Sequence, residues 1–250
     1  YGAAHPTHNI INVRYRKKTS TGWQTAEWVT EIFSIYGQYY VSIAMDSQDN
    51  VHLAWQGTGW GVNTGKYNIQ YRKRTNSGWQ TQEAITDEST SRYHPSIAID
   101  SEDNVHLAWA YNGKYRKRTR GGWGIEETIG FTSPTDLSLA LTRTDLLVVV
   151  AEETIGSVAH LYYSQRQSGS WTTPEAITSD TDDDYAPILL WAKYPVLKGM
   201  PSRGFNLAAS HGRPESLITS HAGGFSMPVN ERAQSTLTPK GGTTIAIRQL

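Results

Sequence analysis

The chain of 250 residues contains no cysteine, so no disulfide can hold it together and its redox compartment leaves no trace in the sequence. It has no surplus of either charge, with Lys+Arg and Asp+Glu both at 23. That balance removes the usual reason to expect nucleic acid or an anionic membrane as partner. No apolar run approaches the roughly 18 residues of a membrane-spanning helix. The longest, from Leu146 to Ala151, suits a buried strand. No segment keeps a helical period over three turns, and no nucleophile elbow, phosphate loop or dinucleotide fingerprint occurs. The chain opens at Tyr1 with neither methionine nor leader pattern, which reads as a processed protein or a fragment of a longer one.

What is present is repetition. Ser42 to Trp55 (SIAMDSQDNVHLAW) returns 54 positions later as Ser96 to Trp109 (SIAIDSEDNVHLAW). A second phrase starts at Tyr15, Tyr71, Tyr115 and, more weakly, Tyr163; in all four copies a Trp follows eight residues on, at Trp23, Trp79, Trp123 and Trp171. Degenerate copies of the first phrase begin at Ser138 and Tyr185. Tyr, Trp, Thr and Gly in such density favour short strands and tight turns.

Each full unit reads as four strands, A to D. In the clearest copy A is Ser96–Ile99, B is Val105–Trp109, C runs over about 113–118 and D over about 126–129. Alternation in B sends Val105, Leu107 and Trp109 one way and His106 and Ala108 the other. Both faces are expected to be buried, bulky face on small-residue face. Four-stranded units of this length predict an all-β fold, a β-propeller of antiparallel blades. The N-terminus opens on a C-like strand and lacks its own A and B, so the two termini are expected to close the ring. Five blades are expected, or four if Ser216–Ser220 and Thr243–Leu250 add no strands. The propeller repeats take residues 1–210, and 211–250 forms the last strands or an extension.

The C–D hairpins read RKKTSTGW, RKRTNSGW, RKRTRGGW and SQRQSGSW. This pattern resembles the Asp-box, Ser-x-Asp-x-Gly-x-x-Trp, of sialidase-type propellers with bacterial neuraminidase repeats. Gly and Trp are kept in three copies with looser spacing, and the Asp is absent from all four. The resemblance spans roughly residues 10–210 and implies architecture. The family's arginine triad, Tyr–Glu nucleophile pair and general acid have no matching positions here, so its activity is not carried over.

Several residue groups raise chemical questions. The basic phrases (Arg16 to Lys18, Arg72 to Arg74, Arg116 to Arg118) would make a polyanion belt, but the acidic A–B turns share their face and should neutralise them. His52 and His106 occupy one repeat position without further ligands nearby and read as structural. Asp180, Asp182 and Asp184 form the densest acidic cluster, a candidate Ca²⁺ site; otherwise no cofactor is expected.

The D–A and B–C loops, on the opposite face, do not repeat, and recognition commonly sits in such loops. They carry aromatics: Trp60 in a Gly-rich loop, with Tyr93, Tyr111 and Tyr185, expected to stack on or line a ligand. Asn63, Glu152 and Asp184 would add polar contacts. Rings beside amides and carboxylates suit sugars, so the expected function is carbohydrate recognition, lectin-like. The first alternative is a glycoside hydrolase or polysaccharide lyase of sialidase-like fold, with Glu152, Glu153 and Asp184 as candidate catalytic carboxylates flanking a bond. The second is a non-catalytic interaction or assembly module. Expected partners are a glycan or polysaccharide, or a protein in the last reading; nucleic acid and membrane insertion are not expected. The expected location is extracellular or on a cell or virion surface.

Overall fold

The computed structural model describes residues 2–5, 8–32, 37–142, 144–179, 184–190, 206–211, 216–220 and 225–228. Among them there is no helix, and so none long and apolar enough to cross a membrane. The first sheet holds β1 (Gly2–His5), β2 (His8–Tyr15) and β5 (Glu27–Trp28), with the small hairpin β3 (Lys18–Thr19) and β4 (Gly22–Trp23). The second holds β6 (Gln38–Met45), β7 (Val51–Gly57), β8 (Asn68–Thr75), β9 (Gly78–Trp79) and β10 (Glu83–Ala84). The third holds β11 (Tyr93–Ile99), β12 (Val105–Ala110), β13 (Lys114–Thr119), β14 (Gly122–Trp123) and β15 (Glu127–Thr128). The fourth repeats this pattern with β16 (Pro134–Leu141), β17 (Leu147–Ile155), β18 (Val158–Gln167), β19 (Ser170–Trp171) and β20 (Glu175–Ala176). The fifth runs β21 (Asp184–Leu190), β22 (Asn206–His211), β23 (Ser216–Ser220) and β24 (Phe225–Pro228).

All pairings are antiparallel; strands A, B and C pair in chain order, and in the second to fourth sheets the C strand also takes the D strand beyond the small hairpin strand, as β8 takes β10. Repeated sheets of this A-B-C-D order define the class: the chain is an all-β protein of the β-propeller kind. It divides into two compact units, Tyr1–Tyr111 with Arg116–Ile125, and Asn112–Tyr115 with Glu126–Leu250.

Two expectations need correction. The N-terminal sheet does have a strand in the B position, because β1 pairs with β2 from Gly2↔Val13 to His5↔His8; only its A strand is missing among the described residues. Glu152 and Glu153 belong to β17 and not to a loop, since a tight Gly156–Ser157 turn lets pairing continue to Ile155↔Val158. Part of the tail is sheet, with Ser216–Ser220 a strand as expected: β23 pairs with β22, and β24 with β23. Thr243–Leu250, expected as further strands, lie outside the described residues.

The B strands are buried on both faces, as the alternation predicts. Val51, Leu53 and Trp55 pack with Val13 and Val29 of the first sheet. Ala54, on the opposite face, joins Ile69 and Tyr71 in packing against Ile97, Leu107 and Trp109 of the third. In the second unit Val148, Val150 and Leu161 pack with Leu189 of the fifth sheet. A serine bonds across the last two of these contacts: Ser42 Oγ accepts the Ile97 N–H (3.1 Å), and Ser138 Oγ accepts that of Leu189 (2.9 Å).

The repeated phrase DSxDNVH builds a buried polar knot at the A–B turn. Asp100 Oδ1 accepts the Glu102 and Asn104 N–H groups (3.0 and 2.8 Å), while Oδ2 meets His106 Nε2 (3.0 Å) and Lys117 Nζ (3.2 Å). Asp46 does the same for Gln48, Asn50, His52 and Lys73. Burial alone would raise both carboxyls, but the donors around them win and hold both well below the usual carboxylate range. His52 also meets the Tyr71 hydroxyl at 2.7 Å; these histidines are structural. The third turn residue is left-handed in each copy (Asp49, Asp103 and Asp145, φ 60, 63 and 57°), a conformation Asp tolerates.

The Tyr and Trp of the second phrase meet across sheets. Trp79 stands edge-on to Tyr15, Trp123 to Tyr71, and Trp171 to Tyr115, with centroids 5.6, 5.2 and 5.2 Å apart. Each joint is closed by an arginine lying near the same Tyr ring and a glutamate from the tyrosine's own sheet: Arg74 with Glu27, Arg118 with Glu83, Arg166 with Glu127. The basic phrases are therefore neither a polyanion belt nor a merely solvated rim. Their first arginines donate Nε to the carbonyls of Gln24, Gln80 and Gly124, and their third residues in sheets two to four clasp the preceding sheet.

Candidate functional site

An aromatic cluster occupies one end of the second and third sheets, within the first unit. Two repeated devices position it. Asn68, buried, accepts from the Thr86 hydroxyl and Glu88 N–H (both 2.9 Å) while Thr86 accepts from Ile69 N–H. This fixes the chain leaving strand D. The second device is a register shift near the start of strand A, between Tyr39 and Ser42 and between Tyr93 and Pro95. The bulged residues, Tyr40 and His94, have φ of 50 and 51°, a conformation that costs a non-glycine residue of order 1–3 kcal/mol. Bulges of this kind re-aim side chains. Here the two rings stack on each other, centroids 4.0 Å apart and planes 22° apart, with Tyr40 58% exposed.

Behind them, Tyr67 contacts Tyr39 and Tyr93 at 5.9 and 5.8 Å. Burial pushes the Tyr67 hydroxyl up, and the two tyrosines add to this. Gln38, fully buried, accepts the indole N–H of Trp55 (2.8 Å) and of Trp60 (3.3 Å). At the matching position of the third sheet stands Arg92, paired with Glu88 and lying under the Tyr111 ring at 5.0 Å. Asp87 accepts the Val62 and Asn63 N–H groups (2.8 and 2.9 Å), which keep its carboxyl below the usual range and tie down the Gly-rich loop.

Of the residues expected from sequence, Trp60, Asn63, Tyr93 and Tyr111 thus fall in this one cluster, in differing roles. Tyr111 is on the surface, Tyr93 packs on Tyr67, and Trp60 is partly buried and anchored to Gln38. Asn63 is turned into the loop, its amide donating to Asp87 at 3.0 and 3.1 Å. Exposed Tyr40 and its partly buried stacking partner His94, with the supports Gln38, Asp87 and Arg92, are not among the expected site residues. The doublets Tyr39-Tyr40 and Tyr93-His94, 54 apart, were the available signal.

The second unit holds the candidate carboxylates. Glu152 accepts the Thr135 hydroxyl (2.6 Å) and Glu153 the Ser133 N–H (2.8 Å), both buried. Adjacent residues of a strand point to opposite faces, so these two do not flank one bond. Asp184 is buried at the start of β21. Asp180, Asp182 and the side chain of Tyr185 lie outside the described residues. Among the described residues no three metal-ligating side chains gather.

Gly61 has φ of 68°, and a Cβ there would meet the Asp87 carboxylate at 2.4 Å. Gly61→Ala is therefore expected to displace the loop at a cost of about 1 kcal/mol or more from its backbone alone. Loss of hydrogen-exchange protection at Val62 and Asn63, with the rest of the chain unchanged, checks this.

No family model and no curated protein matches this chain. Among solved structures, a protein of unknown function from Dyadobacter fermentans DSM 18053 aligns at TM-score 0.57 and 8% identity, over 74% of this chain and 65% of that one. This chain thus spans just under two thirds of that protein's length. The catalytic domain of a GH62 α-L-arabinofuranosidase from Coprinopsis cinerea aligns at 0.47 and 14% identity, over 77% and 67%. An endo-arabinase from Bacteroides thetaiotaomicron VPI-5482 aligns at 0.48 and 15%, over 87% and 84%. At such identities the likeness is one of fold.

Proposed function

We propose that the chain is a carbohydrate-binding propeller that receives sugar rings on the aromatic end of its second and third sheets. The observation that carries this reading is the Tyr40–His94 stack, held at the surface in a costly backbone conformation by paired bulges. Tyr111, backed by Arg92, offers a second exposed ring in the same cluster. Sugar C–H faces stack on such rings while hydroxyls find polar partners around them; Asp87 and His94 are the candidates for that role. Trp60 and Tyr93 act from behind, by fixing the loop and Tyr67. Such a receptor belongs on the outside of a cell or particle.

Binding of the purified chain to a broad glycan array, beside Tyr40→Ala and Tyr111→Ala, tests the reading. Selective binding that weakens at least tenfold in Tyr40→Ala, about 1.4 kcal/mol, with an unchanged thermal midpoint, is the expected result. Absence of binding to every glycan would overturn it and favour a protein ligand. Release of product from a bound glycan would move the assignment to a hydrolase or lyase.

A further inference from the structure

The second and third sheets carry the same tryptophan near the end of strand B, Trp55 and Trp109, both fully buried. Their registers also match: Tyr39 stands opposite Gln56, and Tyr93 opposite Ala110. One residue before each tyrosine the copies diverge. In the second sheet Gln38 sets its amide oxygen against the Trp55 indole N–H at 2.8 Å and collects that of Trp60 as well. In the third sheet the residue is Arg92. An arginine carries donors and no acceptor, and an indole only donates. The exchange therefore sets donor against donor.

Both groups show the consequence. Trp109 Nε1 and Arg92 Nε are buried, and neither has a hydrogen-bond acceptor among the described residues. Arg92 as a whole is only 7% exposed. The rest of its guanidinium is engaged: Nη2 meets Glu88, and Nη1 reaches the carbonyls of Thr90 and Ser91 at 3.5 Å. Buried N–H groups nearly always have a partner, because one left unmade forfeits its solvation. A second exchange accompanies the first. A Cβ on Gly57 would meet Gln38 Oε1 at 1.8 Å, so that position has no room for a side chain. Its counterpart is Tyr111, whose ring covers the Arg92 guanidinium at 5.0 Å and is 39% exposed. The third sheet thus lacks the internal acceptor of the second and carries, in place of its glycine, a surface ring.

We propose that a ligand supplies the acceptor: an acetamido group on a sugar, its carbonyl oxygen taking the Arg92 Nε–H and the Trp109 indole N–H. This rests on the reading of the aromatic end as a sugar site and names the class of sugar. The repeat points to the chemistry, because the oxygen that satisfies Trp55 belongs to a neutral amide. Charge points the same way. Glu88 already neutralises Arg92, and Asp87 stands next to it in sequence, so a ligand carboxylate would bring a third anion to a single cation. A hydroxyl is a poorer match, since it brings a proton that needs an acceptor of its own. Turning of the Tyr111 ring about its Cα–Cβ bond admits the acetamido arm, and the face of that ring remains for the sugar and the acetamido methyl.

The test titrates the full chain with N-acetylglucosamine, N-acetylgalactosamine, glucose, galactose and glucuronate while the assigned indole N–H resonances are followed by NMR. At least one acetamido sugar is expected to bind more tightly than its parent hexose and than glucuronate by about tenfold, and to move the Trp109 resonance. Arg92→Gln supplies the acceptor from the chain, as Gln38 does in the second sheet. That variant should fold, shift the Trp109 resonance without any sugar, and bring the acetamido sugar down to the affinity of its parent. Equal binding of acetamido sugars and parent hexoses, or acetamido binding with the Trp109 resonance unmoved, overturns the proposal and leaves the sugar site standing. Preference for glucuronate overturns it by making Arg92 a carboxylate receptor. So does a Trp109 resonance that contacts an internal water and ignores every sugar. Failure of all five sugars to bind also overturns it, and the glycan array then separates the two readings: selective binding of glycans without acetamido groups removes this one alone, and no binding removes both.

Discussion

Trp123→Ala is expected to destabilise the chain by about 3 kcal/mol, while Trp23→Ala, at the equivalent position of the first hairpin, shifts stability by less than about 0.5 kcal/mol. The two residues follow the same glycine in the same phrase, and both glycines hold positive φ (Gly22 119°, Gly122 108°). What differs is the neighbour. Trp123 stands edge-on to the buried Tyr71 and donates its indole N–H to Glu83 at 2.9 Å, beside the Arg118–Glu83 pair. Truncation removes the ring contact and leaves a partly buried carboxylate with one donor fewer. Trp23 is largely exposed and is touched by Arg16 and Lys18 of its own hairpin. Urea titration of both variants checks the contrast; equal losses would mean that the tryptophans act within their own sheets.

Asp100→Ala should cost about 3–5 kcal/mol, because one carboxylate serves two backbone N–H groups, the Asn104 amide, His106 and Lys117. Its removal strands these donors around a side chain that is itself only 7% exposed. The pH dependence follows from the direction of the shift. Asp46 and Asp100 titrate lower in the folded chain than in the unfolded one. Their contribution is thus complete above the unfolded carboxylate value of about 3.9 and is lost as pH falls below it. His52, lowered first by burial and then by Lys73, against Asp46, acts in the same direction from about pH 6.5 downward. The thermal midpoint of the unaltered chain should fall on acidification, and that of Asp46→Asn/Asp100→Asn should fall less. A parallel decline in both would place acid sensitivity elsewhere.

The scaffold was legible because its signals repeat. A one-residue alternation, Val105-His106-Leu107-Ala108-Trp109, specifies which side faces which neighbour, and the structure follows it in every B strand whose side chains are described. What could not be read was the partner of each conserved-looking side chain. Tyr71 and Trp79 are eight apart in one phrase, yet Trp79 serves Tyr15 and Tyr71 is served by Trp123, because pairing across sheets leaves no local spacing. The site was legible as a loop-rich face and not as a geometry. Trp60 stood out as unmatched, but its indole is committed to Gln38. Tyr40 and His94 could not be marked as a stacked pair, because nothing in the sequence reports a bulge. Glu152 and Glu153 looked like a loop start because a charged pair ends an apolar run, while strand pairing simply continues past it.

The joints between sheets have a direction. One sheet offers Tyr and Glu to its successor, and the successor brings Trp and Arg. Such an interface is heterologous: its two halves differ, and the second and third sheets carry both. A gene duplication of one unit would therefore insert a sheet whose two sides already fit its new neighbours, with no fresh interface to evolve. The near-identity of Ser42–Trp55 and Ser96–Trp109 is the imprint expected of growth by that route.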